Sequence, residues 1–564
     1  MTASPTSTFS DQRLALWERW FGVAMLIFIA VFRWRSISRF RIDSDEPQHL
    51  HVVWGWTQGL LQYRDFFDNH TPIFHIFYAP LLHLLGERAD ILVAMRIAEL
   101  PLFALTLWCV YAVGKRLYDA RVGWWAMLLT ASEAMFFYTS LEFRADVLWA
   151  LLWMATLLVL LGSEGKKGRL LFAGVLLGAT LGTSIKTAVL IVSFVAAGGC
   201  WLVLQKLLGG SIAWKKVSRG FFIFVAGSLL IPLALAGYFY AKGGWQELVY
   251  CLFHHNTGSL TEMGNFQEKM LFFPVILLAA LAIAWFFMRQ RERPGLPFGR
   301  VFLLFGTTIY LGLLVSFWSL LTPFTNQDLL PFVPMLMLML APVLVWMSQR
   351  IKRLSPLIWT IVFCFLIANL LRKPAIQTPT PGKYERFLAI VLKLTGPNDF
   401  VMDAKGEAIF RNRPYYFCLE TQTRRKIING DLPDDIPERL IATRTALTRT
   451  NRLPDRAEAF VKKHYLRVGR GASVLGQDLN ADAADGTHYS FTVGVPQRYV
   501  IVGKNGPVAG ILNGVPYSGA VELSAGPHIF IRQSKDELIA LFWAKAHEAG
   551  FSAFTERKAE ENEP

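Results

Sequence analysis

The sequence predicts an α-helical polytopic membrane protein of about eleven spans, followed by an external C-terminal region of α/β character that ends in a small β domain. Three observations carry that expectation. Of the 564 residues, 53% are hydrophobic, and 43 Phe and 18 Trp take the chain outside ordinary soluble usage. Apolar runs of bilayer length recur from residue 16 to residue 371, with Lys and Arg gathered in alternate short connections. After Arg372 the stretch KPAIQTPTPGKYER, rich in Pro and Thr, opens nearly two hundred residues of soluble composition.

The candidate spans cover 16–34, 91–113, 123–141, 146–162, 169–184, 187–208, 220–240, 270–288, 300–321, 329–347 and 355–371. The first has no small-residue cleavage site and reads as an uncleaved anchor. Five connections are basic: Lys115, Arg116 and Arg121; Lys166, Lys167 and Arg169; Lys206, Lys215, Lys216 and Arg219; Arg289, Arg291, Arg293 and Arg300; Arg350, Lys352 and Arg353. The positive-inside rule makes these cytoplasmic. The loops 35–90, 141–146, 241–269 and 322–328, and everything after 372, then face outward. Arg33, Arg35, Arg39 and Arg41 run against this assignment, since they are basic yet outside. The net charge of +15 follows from topology, with anionic lipid as a secondary partner and no nucleic acid. The five cysteines show no paired metal or redox spacing.

Chemistry concentrates in the first outer loop, 35–90. Asp45 and Glu46 follow the first span directly, and His49, His51, Asp65, Asp68 and His70 follow them among Trp54, Trp56, Tyr63, Phe66 and Phe67. A polar loop between spans is ordinarily just a solvated loop. Here the carboxylates stand among aromatic residues suited to the headgroup level, which favours an interfacial site. HLHVVWGWTQGLL and IFHIFYAPLLHLL are apolar at helical spacing but too short to span, so two helices lying in the interface are expected, with Gly59 and the turn YRDFFDNHTP between them.

Ionisable groups inside or at the mouths of spans are the other candidates. Arg96 and Glu99 lie three apart and suit a structural pair on one helix face. Glu133 falls within the third span. LEFRADVLW puts Arg144 and Asp146 at the mouth of the fourth, where Asp146 is either a site residue or a helix cap. Lys186, in the hairpin GTSIKTAVL, either snorkels or meets a lipid phosphate. TPFTNQDLLPFVPML carries Gln327, Asp328 and Pro331 into a late span. No Gly-rich phosphate loop, GxSxG elbow or zinc-spaced His/Cys cluster occurs, which argues against a nucleotide-driven enzyme.

In order along the chain, Asp45 and Glu46 after the first span, the helix ending in Gly59 and Leu60, YRDFFDNHTPIF, Arg144-x-Asp146, Lys186 and Leu329-Leu330-Pro331 resemble the GT-C glycosyltransferases of the protein O-mannosyltransferase and aminoarabinose transferase type. The resemblance covers about the first 370 residues. It implies a GT-C bundle over 1–371, and transfer of a sugar from a polyprenyl-phosphate donor to a glycan, lipid or protein acceptor on the outer face of a bacterial inner membrane. Carried over, Asp45 is the acceptor-activating base and Glu46 supports it or a metal. Arg144 and Lys186 bind the donor phosphate. Relatives of the aminoarabinose type have Glu-Lys-Pro-Pro where this chain has Asn69, His70, Thr71 and Pro72, so His70 stands in for a phosphate-binding Lys. Asp146, Asp68 and Tyr63 are supporting residues. A divalent metal, with Glu46 and Asp146 as its ligands, is left open as the one cofactor. The C-terminal region is expected as an α/β domain over 372–495 and a small β module over 496–564, the latter resembling carbohydrate-associated modules of the PEGA type. Two other classes stay open: a lipid-linked sugar flippase or transporter, which inverted repeats would favour, and a non-catalytic envelope assembly factor.

Overall fold

The computed structural model describes residues 9–255, 298–317, 326–372, 381–449, 451–469, 471–480, 487–504, 506–533 and 538–554. The apolar run expected at 270–288, and Arg289, Arg291 and Arg293 beside it, lie outside the described residues. Up to residue 255 the helices are α1 (Phe9–Ile37), α2 (Asp45–Thr57), α3 (Ile73–Leu85), α4 (Ile91–Ala98), α5 (Leu100–Leu117), α6 (Ala120–Ser132), α7 (Ala134–Thr139), α8 (Ala145–Leu161), α9 (Lys167–Thr183), α10 (Thr187–Leu207), α11 (Trp214–Ala241) and α12 (Trp245–Val249). Then come α13 (Phe298–Phe317), α14 (Phe332–Arg350) and α15 (Ser355–Leu371). The chain divides into two compact units: Met1–Arg41, Asn69–Phe77 and Val93–Pro379 form the first, and Ile42–Asp68, Tyr78–Leu92 and Thr380–Pro564 the second. By this division α2 belongs with the C-terminal region, not with the helix that precedes it.

The first unit is a helical bundle. Among the described residues, six helices are long and apolar enough to cross a bilayer: Leu16–Ile37, Ile91–Leu117, Thr187–Leu207, Trp214–Ala241, Phe332–Arg350 and Lys352–Leu371. α8 and α9, at 17 residues each, are about 26 Å long at 1.5 Å per residue. The run read as the third span is not continuous. Glu133 adopts an extended conformation between α6 and α7, and its carboxylate accepts from the backbone N–H of Met135 and Phe136. An acid inside an apolar run is here the cap of a new helix, which satisfies donors that lipid could not. Aromatic packing ties the bundle together, as where the Trp125 and Trp359 rings stack at 3.6 Å between α6 and α15.

Glycines set the closest helix contact. Gly174, Gly178 and Gly182 recur every fourth residue along α9, and Gly227 faces them from α11. A Cβ on Gly174 would lie 2.1 Å from the Phe224 carbonyl oxygen, and one on Gly227 would lie 2.3 Å from that of Leu171. Small residues let two backbones approach where lipid offers no hydrophobic drive to bring them together. Gly174→Ala is therefore expected to lower stability by about 1–3 kcal/mol, measured as a fall in melting temperature in detergent. Gly168→Ala, on the same helix with nothing within 4 Å, is expected not to.

The second unit is built on two sheets. Strands β1 (Val401–Met402), β2 (Leu447–Thr448), β3 (Tyr465–Gly469), β4 (Ala472–Leu479), β5 (His488–Val493), β6 (Gln497–Gly503), β7 (Gly510–Leu512), β8 (Val515–Pro516), β9 (Val521–Leu523), β10 (Gly526–Arg532) and β11 (Ile539–Trp543) follow in chain order. The larger sheet runs β1-β2-β4-β11-β6-β9, with β3 also on β4, and the smaller β5-β10-β7-β8. Strands from either side of residue 495 thus enter both sheets. β5 alternates exposed and buried residues, as a sheet with one solvated face requires. Helix α16 (Pro381–Leu394) buries Tyr384, Phe387, Leu388, Val391 and Leu394, a stripe at helical spacing. Shorter helices α17 (Thr421–Ile428), α18 (Ile436–Ala442), α19 (Asp455–His464) and α20 (Ala544–Glu548) complete the unit.

Candidate active site

Each unit holds part of the predicted residue set. In the second, α2 begins at Asp45, and its first turn carries the two acids where an N-terminal helix dipole favours negative charge. Asp43 and Glu46 form a reciprocal cap: Glu46 Oε1 accepts from the Asp43 N–H at 2.9 Å, and Asp43 Oδ1 accepts from the Asp45 N–H at 3.0 Å. Glu46 is fully buried. Asp45 keeps 24% of its side chain exposed, and its Oδ1 accepts from Lys405 Nζ at 2.5 Å. The outer acid of the pair is thus the one open to solvent.

Asp68 and Tyr63 fix the turn after α2. Asp68 is fully buried and accepts from Gln48 Nε2 at 3.3 Å and Gln62 Nε2 at 2.7 Å. Tyr63, also fully buried, takes a left-handed φ of 73°, and its carbonyl accepts from the Tyr416 hydroxyl. A bulky residue there is strained, and it is held by its burial and by this hydrogen bond. Asp65 accepts from the Leu61 N–H at 2.7 Å, and its hydrogen bond with Arg64 holds its carboxyl below the usual range.

The loop after β1 packs on this helix. His51 Nδ1 lies 2.8 Å from the Ile409 carbonyl oxygen, so that nitrogen donates, and its ring stacks on Trp54. Arg411 donates to both oxygens of Glu87 at 2.9 and 3.0 Å. Arg413 donates to Asp403 Oδ1 at 3.1 Å. A small cavity here, about 40 Å³, is lined by His51, Phe66, Arg413, Tyr416 and Cys418 among others. Burial pushes the Cys418 thiol up to about 12, which makes it inert as a nucleophile.

Burial also pushes the His51 imidazole below its ordinary 6.5, with the Ile409 hydrogen bond, Asp403 and Asp68 opposing and Arg413 assisting. The sign follows directly. The unfolded chain binds a proton near pH 6.5 that the folded chain refuses, so stability is full above that pH and is lost as pH falls below it. Melting of the full chain is expected to weaken between pH 7.5 and 5.5 by at most about 1.4 kcal/mol per pH unit from this group. His51→Gln, which retains a donor, is expected to flatten that slope.

In the first unit the turn between α7 and α8 gathers charge. Arg144 Nε donates to Asp146 Oδ2 at 3.1 Å and lies 4.0 Å from Glu142 Oε2. Glu142 also meets Arg41 at 3.7 Å and accepts from Gln327 Nε2 at 3.2 Å. Arg144 itself is the N-cap residue of α8, and Asp146, in the first turn, is paired with it. Lys186, at the N-cap of α10, pairs with Asp328, whose backbone carbonyl accepts from the Tyr310 hydroxyl at 2.9 Å. His70 is half-buried in the turn just before α3.

Two of the basic residues that ran against the topology have structural partners. Arg33 is buried and donates to the Phe137 and Ser140 carbonyl oxygens at 3.3 and 2.5 Å, with its guanidinium 3.7 Å from the Phe103 ring centroid. Arg41 serves Glu142. Arg96 donates to the carbonyl oxygens of Ile37, Phe40 and Arg41 at 2.7–3.0 Å, closing the C-terminal end of α1.

Sequence reasoning missed Glu142 and Lys405, and left Asp328 outside the site. Glu142 stands two residues before Arg144, and the Asp-x-x-Gly of DAKGEA marks the turn that carries Lys405. Among the described residues no three His, Cys, Asp or Glu side chains converge to hold a metal ion. Glu46 belongs to the second unit and Asp146 to the first, and no step is routed through a metal.

Residues 69–231 match the family described as dolichyl-phosphate-mannose-protein mannosyltransferase. No curated protein matches the chain. In structure it is similar to ArnT from Cupriavidus metallidurans in the apo state, with a TM-score of 0.53 at 12% identity, over 80% of this chain and 97% of that one. The same protein bound to undecaprenyl phosphate gives 0.52, with the same identity and coverage. The matched segment spans His70, Arg144, Asp146 and Lys186, and the fold is shared along nearly all of ArnT. The chain thus has the fold of ArnT, and within it residues 69–231 match the protein mannosyltransferase family.

Proposed function

We propose that the chain transfers a sugar from a polyprenyl-phosphate donor to an envelope glycan, lipid or protein on the extracytoplasmic face of a bacterial inner membrane. The observation that carries this is the chemistry of Asp45, a partly exposed carboxylate at the start of a buried helix, beside a fully buried acid and a lysine. That partial exposure supports the role of general base for Asp45. Undecaprenyl phosphate bound to ArnT supports the choice of donor class.

In this reading Asp45 takes the proton of the acceptor hydroxyl, and the acceptor oxygen attacks the anomeric carbon. The bond from that carbon to the phosphate oxygen breaks, and the lipid phosphate leaves with the electron pair. Arg144, Lys186 and His70 meet the charge that develops on it. Arg144 and Lys186 each already hold a carboxylate, so a phosphate would compete with Asp146 and Asp328 for them. The glycosyl phosphate is itself the activated bond, and no nucleotide is needed. Asp68 and Tyr63 act indirectly by fixing the turn that follows α2, and the C-terminal region, with its β-rich sheets, guides the acceptor. Incubation of the full chain with undecaprenyl-phosphate-linked sugars labelled in the sugar, together with envelope extract, is expected to move label into an extract component. Label that stays on the donor across hexoses and pentoses alike would refute the proposal.

A further inference from the structure

The turn that touches the candidate base is built from within. Asp403, fully buried, accepts from the N–H groups of Gly406 at 2.6 Å and Ala408 at 2.7 Å, and from Arg413 Nε. Glu407 accepts from the Ala404 N–H at 3.3 Å and Asn451 Nδ2 at 3.0 Å, and its carbonyl takes the Tyr384 hydroxyl at 2.5 Å. Gly406 has φ +77°, and a Cβ there would stand 2.6 Å from His51 Cβ. Ile409, also left-handed at φ 48°, gives its carbonyl to His51. Backbone strain and buried charge are thus both spent on fixing residues 403–409 against α2.

The one side chain this turn delivers to the start of α2 is Lys405. It is only 8% exposed, and its ammonium reaches Asp45 Oδ1 at 2.5 Å and Ser44 Oγ at 3.4 Å. A lysine left to itself keeps its head in water on a mobile stem. Holding it here restricts both side chains, a cost that a solvated structural pair would not repay.

We infer that Lys405, supplied by the C-terminal region, is a positioning residue of the transfer reaction, holding the Asp45 carboxylate in the orientation from which it takes the acceptor proton. The inference rests on Asp45 being the base. It makes the docked turn 403–409 part of the reaction site, so that the C-terminal region is required for chemistry as well as for acceptor choice.

The test uses the full chain in detergent, undecaprenyl-phosphate-linked hexoses and pentoses, and envelope extract, with release of undecaprenyl phosphate as the readout. Lys405→Met is expected to lower kcat by about 10- to 100-fold, as a misplaced catalytic group does, while donor KM and melting temperature hold. Lys405→Arg, which keeps the charge and the reach, is expected to recover most of kcat. Wild-type kcat in Lys405→Met would overturn the inference. So would a loss confined to donor KM, which is the signature of a phosphate ligand, or equal losses in both variants accompanied by a fallen melting temperature, which is the signature of structure alone. Asp45→Asn separates the two levels. If it stays active, the base assignment falls; if it is inactive while Lys405→Met is not, only the role of Lys405 falls.

Discussion

Asp45→Asn is expected to lower turnover by about 10²- to 10⁴-fold, the range supplied by a positioned general base, while the protein stays folded and binds donor. The substitution keeps size and shape and leaves a carbonyl oxygen for Lys405 Nζ to donate to. Asn also serves well at the start of a helix, so α2 keeps its first turn. What goes is the one acceptor able to carry away a proton. Initial rates of polyprenyl phosphate release, read beside donor binding and a melting curve, check each part. Loss of activity together with loss of the fold would say that Asp45 is structural.

Arg144→Met is expected to damage both stability and activity. Arg144, Glu142 and Asp146 have side chains at most 10% exposed, so the substitution leaves Asp146 buried without its guanidinium and removes a cation from beside Glu142. Breaking a buried pair by removing one partner typically costs about 3–5 kcal/mol. Arg41 and Gln327 still reach Glu142, so the loss falls mainly on Asp146. Arg144→Lys is expected to recover part of the stability, since a point charge replaces a forked donor. Melting in detergent with and without added undecaprenyl phosphate checks both roles. The wild type should be stabilised by the ligand, and Arg144→Met should lose most of that gain. An Arg144→Met protein that melts like wild type would contradict the buried-pair reading.

Much of the fold could be read along the chain because the bilayer imposes a simple rule. Runs of apolar residues must be helices there, and the ranges read for α8, α9, α10 and α15 differ from the observed ends by only a residue or two. The two helices between residues 35 and 90 were legible too, as amphipathic spacing broken by Gly59 and Pro72. Local composition could not reveal the break at Glu133, because a run from 123 to 141 has the hydrophobicity of a span whether or not one acid turns back to cap its own backbone. Nor could it separate the arginines. Arg33 and Arg96 look like loop or pair charges, yet both serve carbonyl groups at helix ends, distant in sequence.

The candidate site was half legible. Asp45 and Glu46 announce themselves by adjacency and by their place after a span, but their different exposure depends on packing. Lys405 lies 360 residues from Asp45, in a stretch that reads as an ordinary turn, and only tertiary contact joins the two. Glu142 was overlooked for a related reason. Its interest comes from Arg41 and Gln327, which reach it from distant segments, and not from its neighbours in LEFRAD.

The most direct test of glycosyl transfer is the release of free undecaprenyl phosphate by purified full-length chain, given a panel of undecaprenyl-phosphate-linked hexoses and pentoses with and without envelope extract. Release that requires both extract and Asp45 is the predicted result. Binding or translocation of donor across the whole panel without any release would contradict transfer and point to a lipid-linked sugar transporter.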